Sequence, residues 1–318
     1  MTVETAEIGD EAVDPELVAI VRAQRARALQ RPPLASVTPA QMRRRAAEEF
    51  APWNHEPEPV AQVRDFLAAG VPVRLYDPAP GAAAGTLLYL HGGGWVIGDL
   101  DFEDAALRRI AGRSGQQIIS IAYRLAPEHR CPAALDDVEA VVRWAASDPS
   151  EAAIDPARIA LGGASAGANL ALGCALRLRD RGGPLPCFLL LMYGAYGGGA
   201  ETQSSRLFGD GRFGLPKAAM DWFWKVYAGR ADDADLDYAI PLRADLADLP
   251  PVFVNYAELD ILRDDSLALV KRLRAAGTRV QHRAYPGAVH GFTQYAKASA
   301  LARRALDDAA DALVNALA

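Results

Sequence analysis

Gly163-Ala164-Ser165-Ala166-Gly167 lies between a short apolar run, Arg158–Leu161, and a stretch of small residues, Ala166–Arg179. The run reads as a strand and the stretch as a helix that can pack closely on a sheet. A G-x-S-x-G at a strand-to-helix junction needs small residues because the chain turns sharply there. The serine is then held in a strained conformation with its hydroxyl exposed. A glycine-rich helix start has a second use, phosphate binding. That use is disfavoured here, since there is no P-loop lysine and no G-x-G-x-x-G with a later acidic residue. Ser165 is the candidate nucleophile.

Outward from this junction the chain alternates strand-like and helix-like segments, the pattern of a mostly parallel sheet flanked by helices. The strand candidates are Val71–Tyr76, Thr86–Leu90, Gln117–Tyr123, Arg158–Leu161, Cys187–Tyr193, Pro251–Ala257 and Arg279–Tyr285. Leu135, Val138, Val142 and Ala145 recur at helical spacing after Pro132, a residue suited to a helix start. Ser266–Ala276 is amphipathic and stops at Gly277, a fitting C′ residue. Lys297–Ala318 reads as a closing helix. Two regions break the alternation. Residues 1 to about 50 are helical and polar, and residues about 196–240 carry Gly197-Gly198-Gly199 and an aromatic cluster. They are read as two pieces of a helical cap over a catalytic domain spanning 51–318; surface decoration is the competing reading.

A serine hydroxyl is a poor nucleophile at neutral pH and needs a base, itself oriented by a carboxylate. In this strand–turn–helix arrangement the expected order is Ser, acid, His. Only His282 and His290 follow Ser165. His282 falls inside a strand candidate, whereas His290 lies just beyond it, where open α/β sheets place their sites. Asp260 is the first aspartate past Pro251–Ala257. Glu258 competes with it, while Asp264 and Asp265 look like the acidic first turn of the next helix.

His91-Gly92-Gly93-Gly94-Trp95 directly follows Thr86–Leu90. Three glycines at a strand end leave backbone N–H groups bare. Such groups can hold the oxyanion of a tetrahedral intermediate without reorganising. Gly92, Gly93 and Gly94, with the N–H of Ala166, are the candidate oxyanion hole, and His91 is assigned to orienting the loop. Trp95 is expected at the site entrance, and Trp222, Phe223 and Trp224, with Met220, as walls of a small acyl pocket.

Other classes are disfavoured. The 318 residues are 51% hydrophobic and 23% charged, which does not suggest disorder. A net charge of −6 argues against nucleic acid and anionic membrane surfaces. Arg43-Arg44-Arg45 is followed by Glu48-Glu49 and reads as a solvated helix face. Cys131, Cys174 and Cys187 form no CxxC pair, so buried free thiols are expected. No H-E-x-x-H or similar ligand cluster suggests a metal. No stretch approaches the ~18 apolar residues of a spanning helix. Met1–Val13 is acidic and lacks an apolar core, so it does not read as a signal peptide. A cytoplasmic location is expected.

The sequence resembles the hormone-sensitive-lipase-like esterases, the bacterial family IV group, and among them the acetyl-esterase type. The likeness is carried by His91–Gly94, Ala122-Tyr123-Arg124-Leu125-Ala126-Pro127-Glu128, Gly163–Gly167 with Asn169, Asp260–Asp265 and His290-Gly291-Phe292. It covers about residues 70–295. It implies an α/β-hydrolase fold, Ser165 as nucleophile, Asp260 as acid and His290 as base, with Gly93, Gly94 and Ala166 as oxyanion donors. It also implies a cap and hydrolysis of short-chain acyl esters without a cofactor. Ala164 replaces a usually acidic residue, and Tyr193-Gly194 replaces a usual Tyr-Pro. The expected partner is a small-molecule ester, with a homodimer left open. The rival readings are an amidase or deacylase with the same triad, and a non-catalytic small-molecule-binding relative.

Overall fold

The computed structural model describes residues 9–32, 36–81, 85–147, 152–229 and 231–318. Residues 1–8 and 33–35 of the expected N-terminal cap, most of the acidic Met1–Val13 stretch and Arg230 of the insertion lie outside them.

Eight strands form one sheet in the order β1-β2-β4-β3-β5-β6-β7-β8. They are β1 (Gln62–Ala68), β2 (Val71–Asp77), β3 (Thr86–Leu90), β4 (Gln117–Ile121), β5 (Ile159–Ala164), β6 (Phe188–Met192), β7 (Val252–Leu259) and β8 (Val280–Val289). Pairing is parallel from β4 to β8 across the centre, while β2 runs antiparallel to both β1 and β4. The seven expected strands are all present. β1 is the addition; its charged residues and part-exposed faces hide any alternation. β3, β4, β5 and β6 are buried along their whole length, as a sheet covered on both faces requires.

The main helices between strands are α3 (Asp104–Ser114), α4 (Ala133–Ser147), α5 (Ala166–Asp180) and α9 (Arg263–Ala275), and α10 (Ala300–Ala316) ends the chain. α5 is buried on nearly every face, which its Ala and Gly content permits. α9 is capped by Ala276, and Gly277 takes the left-handed conformation expected of a C′ residue. Before the sheet come α1 (Val18–Leu29) and α2 (Pro39–Asn54). Between β6 and β7 come α6 (Gln203–Phe208), α7 (Lys217–Tyr227) and α8 (Asp233–Ala239).

Apolar side chains from α2, from the segment after β3 and from α7 meet in a small second core. Val37, Met42, Val96 and Ala126 form it, with Ile97, Trp222, Phe223 and Val226 against them. In the Arg43–Arg45 run Arg44 is exposed, as a solvated face requires, but Arg43 departs from that reading. Arg43 is half-buried and donates to the Val96 and Ala126 carbonyls and to Glu128, pinning α2 beside the glycine loop. Cys131 and Cys174 are buried, Cys187 only half-buried, and all three are free. Among the described residues no helix is long and apolar enough to cross a membrane.

Candidate active site

Ser165 stands between the last residue of β5 and the first of α5 with φ 53° and ψ −116°. This is a costly backbone for a side-chain-bearing residue, held by its surroundings. The Ser165 N–H donates to the Met192 carbonyl at 2.8 Å. A Cβ at Gly167 would fall 1.9 Å from the Leu90 carbonyl oxygen, so only glycine lets α5 leave the turn this close to β3.

The loops after β7 and β8 carry the partners. His290 Nε2 lies 2.9 Å from Ser165 Oγ, and His290 Nδ1 lies 2.7 Å from Asp260 Oδ2. Asp260 Oδ1 accepts the Leu262 N–H at 2.9 Å, so both carboxylate oxygens are engaged and the buried group is oriented. Ser165, Asp260 and His290 are thus brought together in the order Ser–His–Asp. Glu258 is not part of this array. Its carboxylate accepts the Gly287 N–H at 2.9 Å, on the neighbouring strand. There β8 continues through Pro286 to Val289, four residues further than expected; as an edge strand it tolerates a proline without an N–H. His282 is exposed on β8, far along the strand from the site, with Arg274 beside its ring.

Asp264 and Asp265 do lie in the first turn of α9, and they also hold the insertion. Asp264 accepts the Ser204 N–H, and Asp265 accepts the N–H groups of Tyr196 and Gly197. Burial pushes the Asp265 carboxyl up to about 6, against those two donors. The sequence carries no signal for this second task.

The glycine loop is divided in its duties. The N–H groups of Gly93, Gly94 and Ala166 donate to no group among the described residues. The Gly92 N–H is different: it donates to Glu103 Oε1 at 3.1 Å and is not free for a substrate oxygen. His91 is buried and stacked on Tyr123, with ring centroids 4.4 Å apart, and Nδ1 is 2.7 Å from the Gly92 carbonyl. Burial lowers its pKa to about 4, so the ring is neutral near pH 7.

Of the four expected pocket residues only Phe223 stands over the loop: a Cβ at Gly94 would fall 2.6 Å from its ring. Trp95 is not at an entrance. Its φ of 60° turns the indole inward, where it stacks on Tyr227 and packs against Trp224. Trp224 is itself a core residue, and Met220 is buried in the same cluster. Trp222 faces the small second core. Tyr193 and His290 form a T-shaped ring pair, with centroids 5.4 Å apart, and the Tyr193 hydroxyl bonds to Thr293. The Tyr196 ring occupies the space a side chain at Gly194 would need, 2.2 Å from an ideal Cβ. Among the described residues no group of three or more His, Cys, Asp or Glu is placed to hold a metal ion.

A serine on a strand–turn–helix junction, backed by histidine and aspartate at adjacent strand ends, is the arrangement of an α/β hydrolase. Comparison with known proteins agrees. Residues 87–294 match the family described as the alpha/beta hydrolase fold. Carboxylic ester hydrolase LipN of Mycobacterium tuberculosis is 42% identical over 235 residues, 71% of this chain and 61% of LipN. An acetyl esterase of Salmonella paratyphi B is 38% identical over 245 residues, 76% of this chain and 75% of that protein. An ester-hydrolase from the metagenome of Lake Arreo, solved with a bipyridine phosphonate derivative, superposes with a TM-score of 0.88. It is 36% identical, and the match covers 95% of this chain and 98% of that one. The chain belongs to this α/β-hydrolase family, in its hormone-sensitive-lipase-like, family IV branch.

Proposed function

We propose that the chain hydrolyses short-chain acyl esters through a covalent acyl-enzyme on Ser165. Its family, and its likeness to proteins named carboxylic ester hydrolase and acetyl esterase, make it a serine carboxylesterase. The observation that carries the mechanism is the 2.9 Å contact between Ser165 Oγ and His290 Nε2, backed by Asp260 at 2.7 Å.

Ser165 Oγ attacks the ester carbonyl while His290 Nε2 takes its proton. Asp260 keeps the imidazole in the tautomer with its proton on Nδ1 and stabilises the imidazolium that forms. The carbonyl oxygen, now an oxyanion, is held by the N–H groups of Gly93, Gly94 and Ala166; removing one such donor typically costs ~10²–10³ in rate. The proton passes from His290 to the leaving alcohol. Water then attacks the acyl-enzyme with His290 again as base, releasing the acid and Ser165.

The same reading takes α1, α2 and the 196–240 insertion as a cap. Its support is the second core joining α2 to α7 beside the glycine loop. The Phe223 ring against Gly94 limits the room there and favours small acyl groups. A location in a reducing compartment fits the three free cysteines.

The test is a series of p-nitrophenyl esters from acetyl upward, with the matching anilides, on wild type and Ser165→Ala. A fluorophosphonate should label Ser165 one to one and abolish turnover. Label on Ser204 or Ser205, with Ser165 untouched, contradicts the reading.

A further inference from the structure

Glu103 lies outside the triad and the glycine loop, at the N-terminus of α3, yet it is only 4% exposed. Two donors converge on its carboxylate, one from the glycine loop and one from β3. The Gly92 N–H of the glycine loop reaches Oε1 at 3.1 Å. The Tyr89 hydroxyl, from β3, reaches Oε2 at 2.5 Å. An ideal Cβ at Gly92 would stand 3.2 Å from Glu103 Oε1 and 3.6 Å from Ser165 Cβ. Carboxylate and nucleophile therefore flank one glycine.

We propose that Glu103 is the positioning residue of the oxyanion hole, holding the Gly92 peptide so that the next two N–H groups face Ser165. The proposal rests on the acyl-transfer reading above. A run of three glycines has no side chains to restrain it and the widest backbone freedom. Oxyanion donors are effective because they need not reorganise during the reaction. A hydrogen bond from the N–H just before the working donors to a buried carboxyl, itself held by the Tyr89 hydroxyl, supplies the restraint. Through Tyr89 the same carboxylate is tied to β3, the strand that leads into the glycine loop, so the loop is held at both its entry and its first glycine. Glu103 forms no ion pair with any described Lys or Arg, and burial raises its pKa; a buried carboxyl without a cation is a poor device for stability alone. It touches no reacting atom, since the Gly92 peptide stands between it and Ser165.

The test compares Glu103→Ala, Glu103→Gln and Glu103→Asp with wild type, each normalised to sites titrated by a fluorophosphonate. Two quantities are read: steady-state kcat and KM, and affinity for a trifluoromethyl ketone, whose adduct with Ser165 carries an oxyanion. Glu103→Ala should lose about 10²-fold in kcat per titrated site, the scale of a small misplacement of catalytic groups, with KM nearly unchanged. Ketone affinity should fall by the same factor. Glu103→Asp keeps the charge but withdraws it by one methylene from the Gly92 N–H, and should fall with the alanine variant. Glu103→Gln should stay near wild type: its carbonyl oxygen still accepts from Gly92, while the Tyr89 hydroxyl can turn to accept from the new NH₂. Wild-type kcat per site in Glu103→Ala, or a kcat loss without a matching loss of ketone affinity, overturns the proposal. If Glu103→Ala does not fold, wild-type kcat and ketone affinity in Glu103→Asp overturn it equally. A wild-type enzyme whose Ser165 the probe does not titrate overturns the acyl-transfer reading first, and the proposal with it.

Discussion

The indole N–H of Trp95 donates to the carboxamide oxygen of Asn169 at 3.2 Å, with both residues buried. The Asn169 NH₂ donates in turn to the Ala195 and Ala239 carbonyls, each at 2.8 Å. One amide thus joins the glycine loop, the helix behind Ser165, the exit of β6 and the end of α8. Asn169→Ala strands one N–H and two carbonyls. At ~1–3 kcal/mol for each buried unpaired group, the variant should lose about 3 kcal/mol or more of unfolding free energy. Urea denaturation checks this. A loss well under ~1 kcal/mol means water replaces the amide without cost.

Asp260 and Glu258 are separated by one residue but engage different partners, the His290 ring and the Gly287 N–H. Asp260→Asn should lower kcat by up to about 10⁴, the scale seen when an orienting carboxylate becomes an amide. Glu258→Gln retains an oxygen for Gly287 and should leave kcat within about threefold, in line with other changes that spare transition-state contacts. Steady-state kinetics on a p-nitrophenyl ester decides. The reverse ranking would move the acid of the array to Glu258.

How much of this is legible in the sequence depends on whether the deciding contact is local. Ser165, Asp260 and His290 each sit at a strand end marked by neighbouring residues, so chain order and strand pattern bring Ser165 and His290 forward and leave Asp260 competing with Glu258. The inward turn of Trp95 is not local. It follows from a positive φ and from Tyr227 and Trp224, more than a hundred residues away. Glu103 is the extreme case. In Asp101-Phe102-Glu103-Asp104 it reads as one more acid at a helix start, and nothing in the sequence marks Tyr89 and Gly92, more than ten residues away, as its partners. β1 is hidden for another reason: most of its residues keep some exposure on both faces, so the two-residue alternation that reveals a strand is missing.

Asp265 ties stability to pH. Burial, opposed by the Tyr196 and Gly197 N–H groups and reinforced by Asp260 and Asp264, pushes its pKa from 3.8 to about 6. In the unfolded chain it ionises near the ordinary value. Between about pH 4 and 6 the folded state therefore keeps a proton that the unfolded state has lost. The contribution is full below about pH 4 and is lost as pH rises through 6, by an amount on the order of 3 kcal/mol. Asp265→Asn is neutral throughout and keeps an acceptor for the two N–H groups. Its stability relative to wild type should rise from pH 4 to pH 7 by about that amount. Denaturant unfolding of both proteins at four pH values measures it, and a difference that stays flat contradicts a buried proton at this site.

Phe223, Trp222 and Trp224 are consecutive on α7 but do three different things. Phe223 covers Gly94, Trp222 packs on the second core, and Trp224 is buried against Trp95. Removing the Phe223 ring should open space beside the glycine loop. Each acyl methylene that fills this space gains about 0.8 kcal/mol, roughly fourfold in kcat/KM, until the space is full. The preferred acyl length should therefore lengthen in Phe223→Ala, with the acetyl ester losing rank. Trp224→Ala should instead cost ~3–5 kcal/mol of stability, as large-to-small changes in cores do, with the order of acyl preferences unchanged. Trp222→Ala should loosen the junction of α2 and α7 and lower the melting temperature less. The checks are kcat/KM for p-nitrophenyl esters of increasing chain length and thermal melts of the three variants. If Phe223→Ala keeps the wild-type optimum while either tryptophan variant moves it, acyl length is limited by the tryptophans and not by the ring over Gly94.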